Sequence, residues 1–264
     1  MVTPKMNNAQ TFIARIRTAL GHSPDLRRQP AASLFPDHAS AQSLATLEVI
    51  AKRSTEERML LLDRLREIAR PLNIRVTTVS DVAEAQAAIV NIVGRAELEF
   101  DTRKRVAAWR HPLVGRLNLE AALEARDVPV TITEPPPESL DEDSATAFRR
   151  NIRKGVTTSA VGITSADYCV ADTATLVIKA APGCDRSVSL LPTVHVAVIT
   201  IDQLIKDLGE LYAVLRWESD SPPGELPHCL TMITGPSKTG DIEAVMVPGV
   251  HGPRELHLCV ITGS

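Results

Sequence analysis

Between Ile74 and Thr133 the chain alternates short β-branched runs with amphipathic helices, and no other feature restricts its fold as much. Ile74–Val79, Val106–Trp109 and Val128–Thr133 read as strands. Asp81–Val93 reads as a helix with Val82, Ala85, Ile89 and Ile92 on one face, and Leu117–Arg126 as a second helix. Strands separated by helices of this length cannot pair as hairpins. They predict a mostly parallel sheet with helices on both faces, a three-layer α/β arrangement.

The flanking segments fit around that unit. Thr11–Leu20 predicts a helix with Ile13, Ile16 and Leu20 on one face and Arg15 and Arg17 opposite, stopped by Gly21. Residues 21–40 hold three prolines and no period, as a linker or an ordered arm would. Leu44–Ala51 is a helix candidate, and Ser54-Thr55-Glu56-Glu57 is a capping box opening a helix to about Arg70. The expected organisation is an N-terminal helical arm over 1–53 and an α/β domain over 54–264. A second capping box, Ser139–Glu142, opens a helix to about Lys154. From Gly155 to Thr200 the runs Val161–Thr164, Tyr168–Ala171, Thr175–Lys179 and Val194–Thr200 follow one another without helices. Turn residues Asp172-Thr173 predict an antiparallel hairpin, expected on an edge of the parallel sheet. Thr200–Gln203, a third capping box, predicts a helix to about Leu215.

The C-terminal unit carries the chemistry-bearing loops. Leu230–Thr234 reads as a buried strand stopped by Gly235-Pro236, and Leu256–Ile261 as the last strand. Ser237, Lys238 and Thr239 lie between the first strand and a predicted short helix with Asp241 and Glu243 in its first turn. That placement suits either an anion at a helix N-terminus or a capped turn with an exposed lysine. The turn Pro248–Glu255 holds two prolines and two glycines around His251, Arg254 and Glu255. Arg254 can clamp a carboxylate with two parallel N–H donors, and His251 can move protons near neutral pH. The alternative is a loop held by an Arg254–carboxylate pair. Thr164, Asp167, Asp172, Thr173 and Arg186 are further anion-contact candidates that equally suit ordinary turns. His195, inside an apolar strand, reads as a core histidine.

Several classes of function are disfavoured. A net charge of −3 and 3% aromatic residues argue against nucleic-acid binding. No apolar run reaches membrane-span length, and MVTPKMNNAQ lacks a signal-peptide core, so a cytosolic protein is expected. Cys169, Cys184, Cys229 and Cys259 form no C-x-x-C pair, so metal binding is not expected; Cys184, in a Gly-Cys-Asp turn, is the one expected to be exposed. No G-x-S-x-G, H-E-x-x-H or G-x-G-x-x-G occurs.

The blocks VGITSADYCVADTATLVI, SLLPTVHVAVI, ITGPSKTGDIE and VPGVHGPRELHLCVI, in this order, resemble the lactate-utilisation (LUD) domain and, within it, the lactate-utilisation protein C family. The resemblance runs from about Ser54 to Ile261. It implies a fold similar to that of sugar-phosphate isomerases and CoA transferases. It also implies an accessory, non-redox subunit of a cytosolic system oxidising L-lactate to pyruvate. No cofactor is then expected on this chain, and iron–sulfur clusters are expected on partner subunits. A stand-alone enzyme acting on a small carboxylate or phosphate on the same scaffold, or a regulatory scaffold, are the alternatives. Lys238 stands where the family more often has Arg. His251–Glu255 matches unchanged. Ala171-Asp172-Thr173-Ala174-Thr175 departs from the usual Ala-Glu-Thr-Gly-Thr, with a shorter carboxylate and a lost glycine.

Overall fold

A computed structural model describes residues 8–21, 38–97, 103–217, 229–240 and 246–263. The expected alternation is present. Strands β1 (Ile74–Val79), β2 (Val106–Trp109), β3 (Val130–Thr133), β4 (Val161–Thr164), β7 (Val194–Thr200) and β12 (Glu255–Ile261) form one sheet in the order β1-β12-β7-β4-β2-β3. Every pairing in it is parallel. β4 and β7 are buried on both faces, as their apolar runs require.

One face packs on α4 (Val82–Arg95), α5 (Pro112–Arg116) and α6 (Leu119–Glu124) through Ile89, Val93, Val114 and Leu123. Asp81 caps α4 by accepting the Glu84 N–H at 2.9 Å, and Pro112 opens α5. The other face meets α3 (Thr55–Ala69), which presents Leu62 and Leu65 and starts at the expected Ser54 capping box. It also meets α7 (Glu142–Thr157) through Val156 and α8 (Ser187–Leu190) through Val188. A Cβ on Gly162 would stand 1.9 Å from the Val188 carbonyl oxygen, so glycine is what lets α8 lie against β4.

The remaining strands depart from expectation. The hairpin β5 (Tyr168–Val170) and β6 (Thr175–Lys179) is antiparallel but does not sit on the edge of the main sheet. It belongs to a second sheet, β8-β5-β6-β9, with β8 at Leu204–Ile205 and β9 at Leu230–Ile233. This sheet is wedged between two apolar layers. Cys169, Leu176 and Ile178 face the main core. Val170, Val177 and Ile205 face Leu211 and Val214 of α9 (Leu208–Trp217) and Leu47 and Ile50 of α2 (Ala41–Ala51). α1 (Asn8–Ala19) presents Phe12, Ile13 and Ile16 to solvent, and Leu20 just after it is exposed as well.

The Thr200–Gln203 box caps only a 3-10 turn, Ile201–Gln203, because Leu204 and Ile205 leave it to pair with Cys169 and Val170. The helix restarts after Asp207, which accepts the Glu210 N–H at 3.0 Å. The second helix start shifts by two residues, with Asp141 rather than Ser139 capping α7 by accepting the Ser144 N–H at 2.8 Å. The Leu117–Arg126 helix is broken at Asn118, left-handed at φ 44°, with α5 before it and α6 after. Leu230–Thr234 is not a buried strand. β9 is an edge of the second sheet, and Met232 is exposed. Asp241, Glu243 and the Ser221–Gly224 loop lie outside the described residues.

Candidate functional site

The two glycine-rich turns converge at the amino ends of β7 and β12. The Ser237 N–H donates to the Pro253 carbonyl at 2.8 Å, and the Gly249 N–H to the Ser237 carbonyl at 2.9 Å. The His251 N–H donates to Ser237 Oγ at 3.3 Å. The Arg254 N–H ties the second turn to the main sheet through the Thr193 carbonyl at 2.8 Å. Ser237 is therefore the knot between the loops. Gly249, at φ 79°, has the Arg254 side chain where a Cβ would be, with Arg254 Cγ at 2.1 Å. A side chain there would be both strained and blocked.

Among the described residues, Lys238 and Thr239 lie in a strand. Lys238–Gly240 is β10, paired antiparallel with β11, Met246–Pro248. The segment expected to hold the helix, from Asp241, lies outside the described residues; among those described, Lys238 and Thr239 stand in a β-ribbon. The ribbon's root, the two turns, β9, α8 and β7 enclose a cavity of about 320 Å³. Ser237, Lys238 and His251 line it, with Leu190, Ile233 and Leu256. Thr239, Arg254 and Glu255 are not among its lining residues.

His195, the residue that sequence reasoning assigned to the core, lines the cavity and is 1% exposed. Its Nε2 lies 2.8 Å from Thr164 Oγ1, and its Nδ1 is buried with no hydrogen-bond partner. Burial, with His257 acting in the same sense, pushes its pKa down to about 3, so the ring is neutral. A half-satisfied buried imidazole is costly, and such groups concentrate at functional sites. One signal was available: His195 is the single polar side chain amid the apolar run Val194–Ile199.

A hydroxyl chain joins the departing Asp-Thr-Ala-Thr turn to the cavity. Thr173 Oγ1 donates to Thr175 Oγ1 at 2.8 Å, which lies 2.7 Å from Thr234 Oγ1 on the cavity wall. Asp172 is not part of it and pairs with Arg64 at 3.1 Å. Asp167 accepts the Lys179 N–H at 2.6 Å, closing the hairpin. Arg186 is exposed at the start of α8 and does not line the cavity. Of the anion-contact candidates outside the loops, Thr164 reaches a cavity-lining side chain, His195, through its own side chain, and Arg186 does so through its carbonyl, which accepts the hydroxyl of cavity-lining Ser189 at 2.9 Å.

Arg254 and Glu255 line a separate open groove of about 680 Å³, with Arg66, Arg70 and Arg75. Glu255 is engaged there by Arg75 and, at 3.0 Å, by His257 Nε2. A third crevice, about 660 Å³, opens at the carboxyl ends of β2 and β3 beside Trp109 and His111. His111 Nδ1 accepts the Leu113 N–H at 3.2 Å, and partial burial lowers its pKa. Cys169 and Cys259 are buried, with thiols pushed up to about 12 and about 11 by burial. Cys184 and Cys229 are both half-buried, so Cys184 is not singled out as exposed. No group of three or more His, Cys, Asp or Glu suited to a metal occurs among the described residues. No helix among them is long and apolar enough to cross a membrane.

The sequence pattern of the LUD domain matches residues 62–261. The chain is 30% identical over 251 residues to lactate utilization protein C of Halalkalibacterium halodurans, covering 94% of this chain and 92% of that protein. It is 35% identical over 103 residues to lactate utilization protein C of Bacillus subtilis, covering 39% and 42% of the two chains. The crystal structure of a DUF162 family protein from Deinococcus radiodurans aligns with a TM-score of 0.47 at 22% identity, over 77% of this chain and 98% of that one.

Proposed function

Because this chain belongs to the LUD domain family, we propose that it serves lactate utilisation as an accessory subunit without a redox group of its own. In this reading it works in the cytosol with partner subunits that carry iron–sulfur clusters. Oxidation of L-lactate to pyruvate releases two electrons and two protons, and the electrons pass to those partners. The observation that carries the reading is that the blocks resembling lactate-utilisation protein C converge in space. ITGPSK and HGP wall one cavity, and the histidine of SLLPTVHVAVI lies on it.

The test is lactate-dependent reduction of an electron acceptor by anaerobically purified iron–sulfur partners. It is run without this chain, with it, and with its Lys238→Ala/Ser237→Ala variant. Activity is expected to require the wild-type chain and to fall at least about tenfold with the variant. Equal activity without the chain overturns the proposal.

The arginine-lined groove favours a second reading, a stand-alone enzyme for a small carboxylate or phosphate that Arg254 would grip. Saturable turnover by the isolated chain, lost on Arg254→Ala, would establish that reading in place of the first.

A further inference from the structure

The 320 Å³ cavity is graded from charged at its mouth to neutral at its floor. Lys238 and His251 stand exposed at the mouth. Ser237 Oγ accepts the His251 N–H there, and its own proton has no acceptor among the described residues. Leu190, Ile233 and Leu256 supply apolar wall. At the floor lies His195, with Nε2 held by Thr164 and Nδ1 unpartnered.

From this gradient we infer that the cavity binds a small 2-hydroxy or 2-oxo acid. Its carboxylate lies toward Lys238 and the Ser237 hydroxyl, and its second, uncharged oxygen pairs with His195 Nδ1, which is shielded from solvent here and is uncovered as the ligand enters. The mouth supplies the Lys238 ammonium, which spends one donor on the Leu72 carbonyl at 3.4 Å and keeps others, and the Ser237 O–H donor, the set a carboxylate needs. The floor supplies a neutral imidazole nitrogen that lacks a partner, which suits an uncharged oxygen. Placing that oxygen at the 2-position rests on the proposed role in lactate utilisation.

The Thr164–His195 pair sharpens the inference. If Thr164 donates to Nε2, the neutral ring carries its proton on Nδ1, which is then an unmet donor. If Nε2–H donates to Thr164, Nδ1 is an unmet acceptor. A hydroxyl satisfies either state, whereas a keto oxygen satisfies only the first. The affinity ratio of hydroxy to oxo acid therefore reports the tautomer.

The test uses the full chain with L-lactate, pyruvate and propionate as calorimetric ligands. Propionate keeps the carboxylate and the carbon skeleton but lacks the 2-oxygen. L-lactate is expected to bind saturably and propionate about tenfold or more weakly, because Nδ1 then stays unpaired in the complex. His195→Gln places an amide near the Nε2 position, keeps the Thr164 contact and leaves nothing at Nδ1. It is expected to bring lactate down to the affinity of propionate while leaving propionate unchanged. His195→Asn, whose amide falls near the Nδ1 position, is expected to retain part of the preference.

If these variants fail to fold, nitrogen-15 histidine spectra of the wild-type protein decide. The His195 Nδ1 resonance is expected to move on saturation with L-lactate and to stay in place with propionate. Equal binding of the two acids, no saturable binding, or an unmoved Nδ1 resonance overturns the inference. Its failure is separable from failure of the proposed role. A chain needed for lactate oxidation that binds no lactate defeats the inference alone, and a chain that binds lactate but is dispensable to the partners defeats the role alone.

Discussion

Ala174 holds a left-handed backbone, φ 48°, in the turn where the resembling family usually has glycine. The sequence showed the missing glycine, and the dihedral angle shows its consequence. An alanine there carries about 1–2 kcal/mol of backbone strain, offset in part by burial of its methyl group. Ala174→Gly is therefore expected to change unfolding free energy by no more than about 1 kcal/mol. Ala174→Val, branched at Cβ and 2% exposed, is expected to lose about 2–4 kcal/mol. Urea melts of both variants check this. His195 makes a pH prediction with a definite sign. Its folded pKa is depressed to about 3 from 6.5, so below pH 6.5 the unfolded chain binds the proton that the native chain refuses. Stability then falls as pH drops, by about 1.4 kcal/mol per unit until the folded pKa is reached. The difference in unfolding free energy between pH 7 and pH 5 is expected to shrink in His195→Gln; an unchanged difference would contradict the neutral ring. That His195 is polar inside an apolar strand was legible. That its Nδ1 has no partner was not, because partners come from other strands and loops.

Among elements, α8 and β9 decide the cavity. The four-residue α8 reaches β4 because Gly162 has no side chain. Gly162→Ala drives a methyl into the Val188 carbonyl and is expected to cost at least about 2 kcal/mol and to weaken any cavity ligand. Melts and ligand titration read the two effects separately. Helix and strand types were legible wherever periodicity was long, as in α3, α4 and β7. Capping boxes were less decisive. Ser54 behaves as its motif says, with the Glu57 side chain accepting the Ser54 N–H at 2.7 Å. Thr200-Ile201-Asp202-Gln203 has the same pattern but stops after one turn, because the next two residues gain more from pairing in the second sheet. A local motif fixes how a helix starts and says nothing about how far it runs.

For the whole molecule, the buried pair Arg53–Glu210, 2.5 Å apart with side chains 8% and 9% exposed, joins the N-terminal helices to α9. Glu210 also accepts the Lys206 N–H at 2.7 Å. Arg53→Ala leaves that carboxylate buried without its cation and is expected to cost about 3 kcal/mol or more, whereas Arg53→Met/Glu210→Met is expected to recover much of it. A double-mutant cycle by urea denaturation measures the difference. The expected boundary near residue 53 thus falls on a contact: Leu47 and Ile50 pack against the second sheet's cluster, and Arg53 is clamped to α9. Cys169 and Cys259 are expected to resist iodoacetamide in the native state, and mass spectrometry before and after unfolding checks it.

The alternation of apolar patterns determined the α/β class, the parallel pairing and most element identities, because periodicity acts between near neighbours in the chain. The sequence also marked the two glycine-rich turns as shaped loops. Tertiary structure alone decided that Ser237 joins them, that the hairpin forms its own sheet, and that Arg254 faces a different groove from His251 three residues before it. Those outcomes depend on which distant backbone meets each loop: Thr193 and Pro253 for the turns, Leu204 and Ile233 for the hairpin. Local residue pattern sets the elements; burial and hydrogen-bond satisfaction across the chain set which side chains share a site.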